Sequence, residues 1–599
     1  MEENKTTDKI VDFLFEKNNL KYLILLFIIG FVLRGVIANN ISPNADEMLH
    51  APHAINFINS GKLQIMDQDP IWFFLTDLSY KIFGVSLFAA RFLAVFFGAL
   101  SIIILYLIIK LMYNKNIALI SSVLLTFSSF HILMSLAEMD VAMMFFVLLS
   151  SYFFIKTLKE NNDRYLPFSY VFLGIAILVK QIAITFIPVF IISYVYYKIK
   201  EKSKINYKQI LIFILIMFIM SFPVLTFNYL LHKDKGLVDL QFSRFLGVAK
   251  DTYKPIEATI QPFSLNKLFG VGEQSSGIID GLSFFLSFDK LIFILSILGL
   301  IIAFLIKKKF LLFWILSFII PFIFLSGTSL LEYHFIFGMP ILALFCATFI
   351  DFLSNKLEKI KLKKSILIPI FLLIIIIFNV SFVYSRGAFS KGEISKMMSY
   401  SRENIEDDSL VIVDSRVYRG RIVWTFNNKH YLESSYLNEL LNTQDQIPGG
   451  VSSIKTYFIE CVTDDCGWGT INNQQDFNQS TEEIVSFFKN NSEFLKTITT
   501  RDNEKYFNVY KTQLVLKENS LSLADSTHDW FYYPLRYTNK EKIFDSYETE
   551  KIFDSYETKN IFDKFLDWIA HLILYLEVLI SLISIVIVSY LILMEDRKE

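Results

Sequence analysis

The feature that most limits what this chain can become is a succession of long apolar runs joined by short basic connections. Runs fall near residues 20–38, 87–111, 115–135, 141–158, 165–179, 182–199, 209–231, 290–306, 310–327, 335–353, 364–384 and 566–594. Most approach or exceed the roughly 18 residues that cross a bilayer as a helix. With 53% hydrophobic and 19% charged residues and a mean hydropathy of +0.45, a soluble fold would expose too much apolar surface. The expected fold class is an α-helical polytopic membrane protein with about twelve transmembrane helices. Its partner is the lipid bilayer. A formal net charge of −1 gives no case for nucleic acid. The first apolar run is long and continues into a structured loop, so it reads as a membrane helix and not as a cleaved leader. Ile10, Val11, Phe13 and Leu14 ahead of it form a short interfacial stripe.

Loop charge sets an expected orientation. With the N-terminus in the cytoplasm, one side receives Lys110 and Lys115, then Lys156, Lys159 and Arg164, then Lys198 through Lys208. Lys307 to Lys309, Lys356 through Lys364 and finally Arg597 and Lys598 complete that side. Short loops on the cytoplasmic face carry such an excess of Lys and Arg. Both termini are therefore expected in the cytoplasm. The other side receives the loop of Asp46, the Leu136–Asp140 turn, Lys180, the 229–290 loop, the Glu332–His334 turn and segment 386–565. Polar chemistry thus gathers on one face, and the candidate site is expected to be extracytoplasmic. A transporter would instead place polar groups near the midplane of broken helices in repeated halves, and no repeated halves are visible.

The chain divides into a transmembrane domain (1–385), a small extracytoplasmic α/β domain (386–565), and a last transmembrane helix with its tail (566–599). Leu410–Val413, Thr456–Ile459 and Phe507–Tyr510 read as strands. Ser480 and Glu483 form a capping box ahead of an apolar helix. Asn478 and Asn490 head glycosylation sequons. Residues 541–549 recur without change at 550–558, a tandem in a tolerant linker and too short for a solenoid unit. Of three cysteines, Cys346 lies in an apolar run. Cys461 and Cys466 can pair if their loop faces an oxidising compartment; their spacing is too wide for a CxxC motif.

The pair Asp46-Glu47 stands just beyond the first apolar run, where the dielectric begins to fall and carboxylate charge becomes tunable. It leads into His50, Ala54, Ser60-Gly61-Lys62-Leu63, Asp67–Pro70, Phe83-Gly84, Ser86 and Phe88–Arg91. Leu136-Ala137-Glu138-Met139-Asp140, the stretch from Gly174 to Lys180, and Tyr333 with Pro340 follow. As a set, over residues 20–350, these motifs resemble the integral-membrane glycosyltransferases of the GT-C type. The likeness is to the protein O-mannosyltransferase-like group that includes the aminoarabinose transferases for lipid A. That branch has a lysine immediately before the proline of the Asp67–Pro70 region, where Asp69 stands here. No tryptophan sits in a Trp-Trp-Asp-Tyr-Gly motif, which disfavours the oligosaccharyltransferase catalytic subunit.

The resemblance implies transfer of a sugar from a polyprenyl-phosphate donor to an acceptor hydroxyl of a protein, lipid or glycan. Asp46 is the expected base, taking the hydroxyl proton during attack. Glu47 either orients it, contacts sugar or acceptor hydroxyls, or simply faces water. Asp140 and Glu138 form a second acidic point that contacts substrate. Arg91 has the fork for a phosphate, or anchors a helix end. Lys180 pairs with the lipid phosphate or snorkels. Tyr333 and His334 reach the same phosphate or stand as an ordinary interfacial pair. Arg244, Lys250, Lys254 and Lys267 are further basic candidates. No cofactor is expected; a divalent metal among Asp46, Glu47, Glu138 and Asp140 is allowed but not required. The alternatives are a transporter or flippase for a lipid or small molecule, and an envelope protein that merely displays domain 386–565.

Overall fold

The computed structural model describes residues 20–44, 46–55, 57, 70–236, 238, 263–271, 276–328, 331–417, 419–463, 466, 479–525 and 556–598. The N-terminal stripe, the 60–63 and 67–69 motifs, Arg244, Lys250, Lys254, Asn478 and most of the tandem lie outside these residues.

The membrane part is a helical bundle. Among the described residues, nine helices are long and apolar enough to cross a bilayer, and a tenth span exists if the bent pair Gly277–Phe288 and Lys290–Leu305 is counted as one. Two expected spans are shorter than a bilayer needs. Run 115–135 becomes helix Lys115–Thr126, a break, and the short helix Ser129–Leu133. Run 165–179 becomes the 14-residue helix Leu166–Val179, only about 21 Å long. The chain still returns through these pieces. Arg91, near the start of helix Leu87–Met112, and Ala137, after the short pieces, both bind Glu47, so the intervening chain goes out and comes back.

Breaks at this depth free backbone groups that water cannot reach, and side chains satisfy them. Arg34, buried on helix Leu20–Asn40, donates to the carbonyls of Leu125 (3.0 Å), Thr126 (3.3 Å) and Gly30 (3.1 Å). Its Nε also donates to His131 Nδ1 at 3.0 Å. A cation at the C-terminal end of helix Lys115–Thr126 also suits the helix dipole. Asp289, at the 115° bend of the broken pair, serves the other side. It accepts from Ser128 Oγ (2.6 Å), the amides of Ser129 (2.9 Å) and Phe130 (3.0 Å), and Asn379 Nδ2 (2.8 Å). Two helix breaks are thus joined by one carboxylate. Close packing adds to this: a Cβ at Gly299 would stand 1.8 Å from the Phe345 carbonyl oxygen, so only glycine lets helices Lys290–Leu305 and Met339–Glu358 approach.

The basic connections gather at one end of the bundle. Tyr113 Oη donates to the Lys309 carbonyl at 2.9 Å, and Lys159 Nζ donates to the Leu111 carbonyl at 2.5 Å. At the opposite end sits a five-stranded mixed sheet, β1 (Leu410–Val413), β2 (His430–Glu433), β3 (Val451–Cys461), β4 (Glu493–Thr499) and β5 (Lys505–Lys517), in the order β2-β1-β3-β5-β4. β1 pairs in parallel with β2 and β3, while β5 is antiparallel to β3 and β4. Helix Gln479–Asn491 occupies the place of the expected capping box, and Asn490 lies in its last turn. Cys461 and Cys466 form a disulfide. This domain is tied to the bundle through Arg501, which donates to the carbonyls of Asn40 (3.0 Å) and Arg386 (3.1 Å), and through the Gly392 amide, which donates to Asn40 at 2.9 Å.

Asp289→Ala removes the acceptor for several buried donors at once, each costing about 1–3 kcal/mol when left unpaired. Thermal unfolding in detergent should therefore show a large loss of stability. A midpoint unchanged from the parent would show that the breaks are satisfied in some other way.

Candidate active site

The site is built where five chain segments converge at the domain-bearing end of the bundle. The first is the turn into helix Glu47–His53. The Glu47 amide donates to Asn44 Oδ1 (2.8 Å) and the Asn44 amide donates to Glu47 Oε2 (3.0 Å), a reciprocal pairing like a capping box. It fixes the turn that carries Asp46.

Glu47 is then fully occupied. Arg91 Nε donates to Oε1 at 2.6 Å and Nη2 to Oε2 at 2.8 Å, and the Ala137 amide donates to Oε1 at 2.5 Å. With Asn44 this makes four donors, about the full acceptor capacity of a carboxylate. Arg91 Nη1 donates to the carbonyls of Ala38 (2.6 Å) and Ile41 (2.7 Å). Both side chains are 0% exposed. Glu47 therefore does not face water, and the fork of Arg91 is turned onto protein instead of into the open site. The pair clamps the first loop to the start of helix Leu87–Met112 and to the Leu136–Asp140 turn.

Asp46 is left half-buried, and Tyr333 Oη donates to its Oδ2. Tyr333 comes from the 3-10 turn Glu332–Gly338. Lys180 Nζ lies over the Tyr333 ring, 5.5 Å from its centroid, and donates to Asp140 Oδ2 at 2.7 Å. His334 Nδ1 lies 3.2 Å from Asp140 Oδ1. Asp140 opens helix Asp140–Glu160, where a carboxylate is favoured by the dipole. Lys180 occupies the extended residue that ends helix Leu166–Val179. The sequence candidates Asp46, Asp140, Lys180, Tyr333 and His334 are thus brought into one contiguous cluster.

Glu138 joins through a residue that had been noted in the motif without a role. His50 Nδ1 lies 3.3 Å from Glu138 Oε2, and the His50 ring abuts Trp72 and Phe73. Burial pushes the Glu138 carboxyl up to about 7, with His50 and Lys180 opposing it. Burial also works against protonation of His50, yet Glu138 holds its imidazole above the ordinary value. Lys267, the one described member of the further basic candidates, donates to the Thr328 carbonyl at 2.8 Å. Among the described residues no three His, Cys, Asp or Glu side chains are placed to hold one metal ion.

Comparison with known proteins gives the architecture its class. The family described as dolichyl-phosphate-mannose-protein mannosyltransferase matches residues 67–227. The crystal structure of ArnT from Cupriavidus metallidurans bound to undecaprenyl phosphate is similar with a TM-score of 0.54 at 10% identity, covering 82% of this chain and 98% of that one. The apo oligosaccharyltransferase of Archaeoglobus fulgidus gives a TM-score of 0.48 at 13% identity, covering 75% of this chain and 70% of that one. An uncharacterized protein of Aquifex aeolicus is 25% identical over 199 residues, and the chain spans 39% of its length. The fold is like that of the ArnT structure.

Breaking the Glu47–Arg91 pair should be costly in a way that removing it is not. Arg91→Ala strands a buried carboxylate, a loss on the order of 3–5 kcal/mol, and unfolding should shift down accordingly. The double variant Glu47→Leu with Arg91→Met should be less destabilised than Arg91→Ala alone. Full stability in Arg91→Ala would contradict a buried pair.

Proposed function

We propose that this protein transfers a sugar from a polyprenyl-phosphate-linked donor to an acceptor hydroxyl of a protein, lipid or glycan at the extracytoplasmic face. The observation that carries the reading is the contact chain Asp46–Tyr333–Lys180–Asp140, which sets a carboxylate at the hydroxyl and an ammonium over the face of one aromatic ring. Such a pairing suits displacement at an anomeric carbon. Asp46 takes the acceptor proton as the new C–O bond forms, while Tyr333 holds one of its oxygens. The bond from the anomeric carbon to the phosphate oxygen breaks with its electron pair going to phosphate. A phosphate leaving group needs positive charge more than a proton, and Lys180, over the Tyr333 ring that holds the base, supplies it. Asp140 and His334 orient Lys180 and offer contacts to sugar or acceptor. Direct displacement with one base inverts the anomeric centre, by analogy with inverting glycosidases. The ArnT structure bound to undecaprenyl phosphate, and the family's description by a dolichyl-phosphate sugar, support a lipid-phosphate donor.

Asp46→Asn keeps the size of the side chain and removes its basicity. Sugar transfer in vesicles should fall on the order of 100- to 10,000-fold, with donor binding and protein level retained. Asp46→Glu should recover little, because the carboxylate is displaced along its arm. Near-normal turnover in Asp46→Asn would sink the assignment.

Orientation is checked separately. Ser435 is exposed and Glu332 half-buried at the site end, and Lys202 is exposed at the basic end. Single cysteines at 332 and 435 should react with an impermeant thiol reagent on intact cells, and one at 202 should react only after permeabilisation. The reverse pattern would place the site in the cytoplasm.

A further inference from the structure

Glu138 is 1% exposed, and its Oε1 is buried with no hydrogen-bond partner among the described residues. Its other oxygen faces His50, which sits one turn beyond Asp46; the His50 amide donates to the Asp46 carbonyl at 2.9 Å. A buried carboxylate with one satisfied oxygen is costly while ionised and tends to take a proton. A protonated imidazole beside it removes that tendency, and the two then titrate as one unit that holds a single proton. The unpaired oxygen is thereby kept as an acceptor.

We infer that His50 is a positioning residue which, by carrying the proton of the His50–Glu138 pair, keeps Glu138 Oε1 available to accept a hydrogen bond from a substrate hydroxyl beside the Asp46 base. The inference rests on the transferase reading. The charged groups around the pair are accounted for as follows. Asp46 stands on its own segment and favours the imidazolium, while Lys180 opposes it and favours the Glu138 carboxylate. Lys180 is itself paired with Asp140, which also meets His334. The adjoining helix Pro70–Phe83 brings Asp77 and Lys81, which pair with each other at 3.5 Å. Helix Arg419–Phe426, packed on Glu47–His53, carries Arg419 and Arg421 in its sequence. Glu47 and Arg91 neutralise each other in the clamp. Without His50, Glu138 keeps only the distant help of Lys180.

The sign follows from the charge. In His50→Phe, Glu138 should hold its own proton to higher pH and lose its acceptor role around neutrality. The apparent KM for the substrate should rise near pH 7, by on the order of tenfold for each unit by which the midpoint moves, and return toward the parent value as pH increases. The kcat should change much less. His50→Lys, which restores a cation, should recover part of the affinity. Glu138→Gln should abolish the pH dependence introduced by His50→Phe. A readout independent of turnover is the carboxylic-acid C=O band in infrared difference spectra of the full-length protein. In His50→Phe a band absent from Glu138→Gln should titrate at higher pH than in the parent. A His50→Phe protein that folds but has parallel KM–pH curves and an unmoved band would overturn the inference. Absence of any sugar transfer by the parent would instead count against the transferase reading, while the infrared band would still decide whether the pair shares its proton.

Discussion

The structure of the site depends on the Glu47–Arg91 clamp. One carboxylate receives a bidentate guanidinium and two backbone amides, so three stretches far apart in the chain are held to one point. Asp46 is the residue directly before the clamp, and the Glu138–Asp140 turn directly follows the Ala137 amide that closes it. Charge-assisted bonds of this kind are strong where water is excluded. The acids proposed to face substrate are thus held in place without themselves carrying the fold.

A second set of polar contacts serves the membrane interior. Arg34 and Asp289 are the kind of intramembrane charges that would suggest a transport path. Here each is committed to backbone: Arg34 to the carbonyl end of a broken helix, Asp289 to the amide end of the next. Their placement explains how the bundle keeps short helices at depth, and it leaves the proposed chemistry to the end of the bundle where the sheet domain docks.

Much of this was legible in the chain. Apolar run length fixed the class, and the spacing of Lys and Arg separated the two ends of the bundle. Asp46, Asp140, Lys180 and Tyr333 could be gathered because the motifs that carry the resemblance contain them, and His334 because it adjoins Tyr333. The partnership of Glu47 with Arg91 could not, since 44 residues separate them and neither carries a local signal of its partner. Arg91 was accordingly left between a phosphate and a helix-end anchor, and Glu47 among three roles. Among the described residues, two expected spans are shorter than a bilayer needs because hydropathy does not register a break. The clue at Phe127–Ser128 was chemical: Ser128 is a helix-capping residue inside an apolar run. Strands β2 and β4 were missed because β2 is bounded by the polar His430 and Glu433 and β4 carries exposed charge on a sheet edge. His50 stood in the quoted motif, but its meaning comes from Glu138, 88 residues away.

The central claim is that the Asp46–Tyr333–Lys180 cluster moves a sugar off a lipid phosphate. The most direct measurement incubates the purified full-length protein with a panel of polyprenyl-phosphate sugars and follows release of the free polyprenyl phosphate together with the anomeric configuration of the product. The account predicts that at least one donor is consumed with inversion, and that Lys180→Met lowers donor affinity while leaving the protein folded. Consumption with retained configuration, or donor affinity unaffected by Lys180→Met, would contradict it.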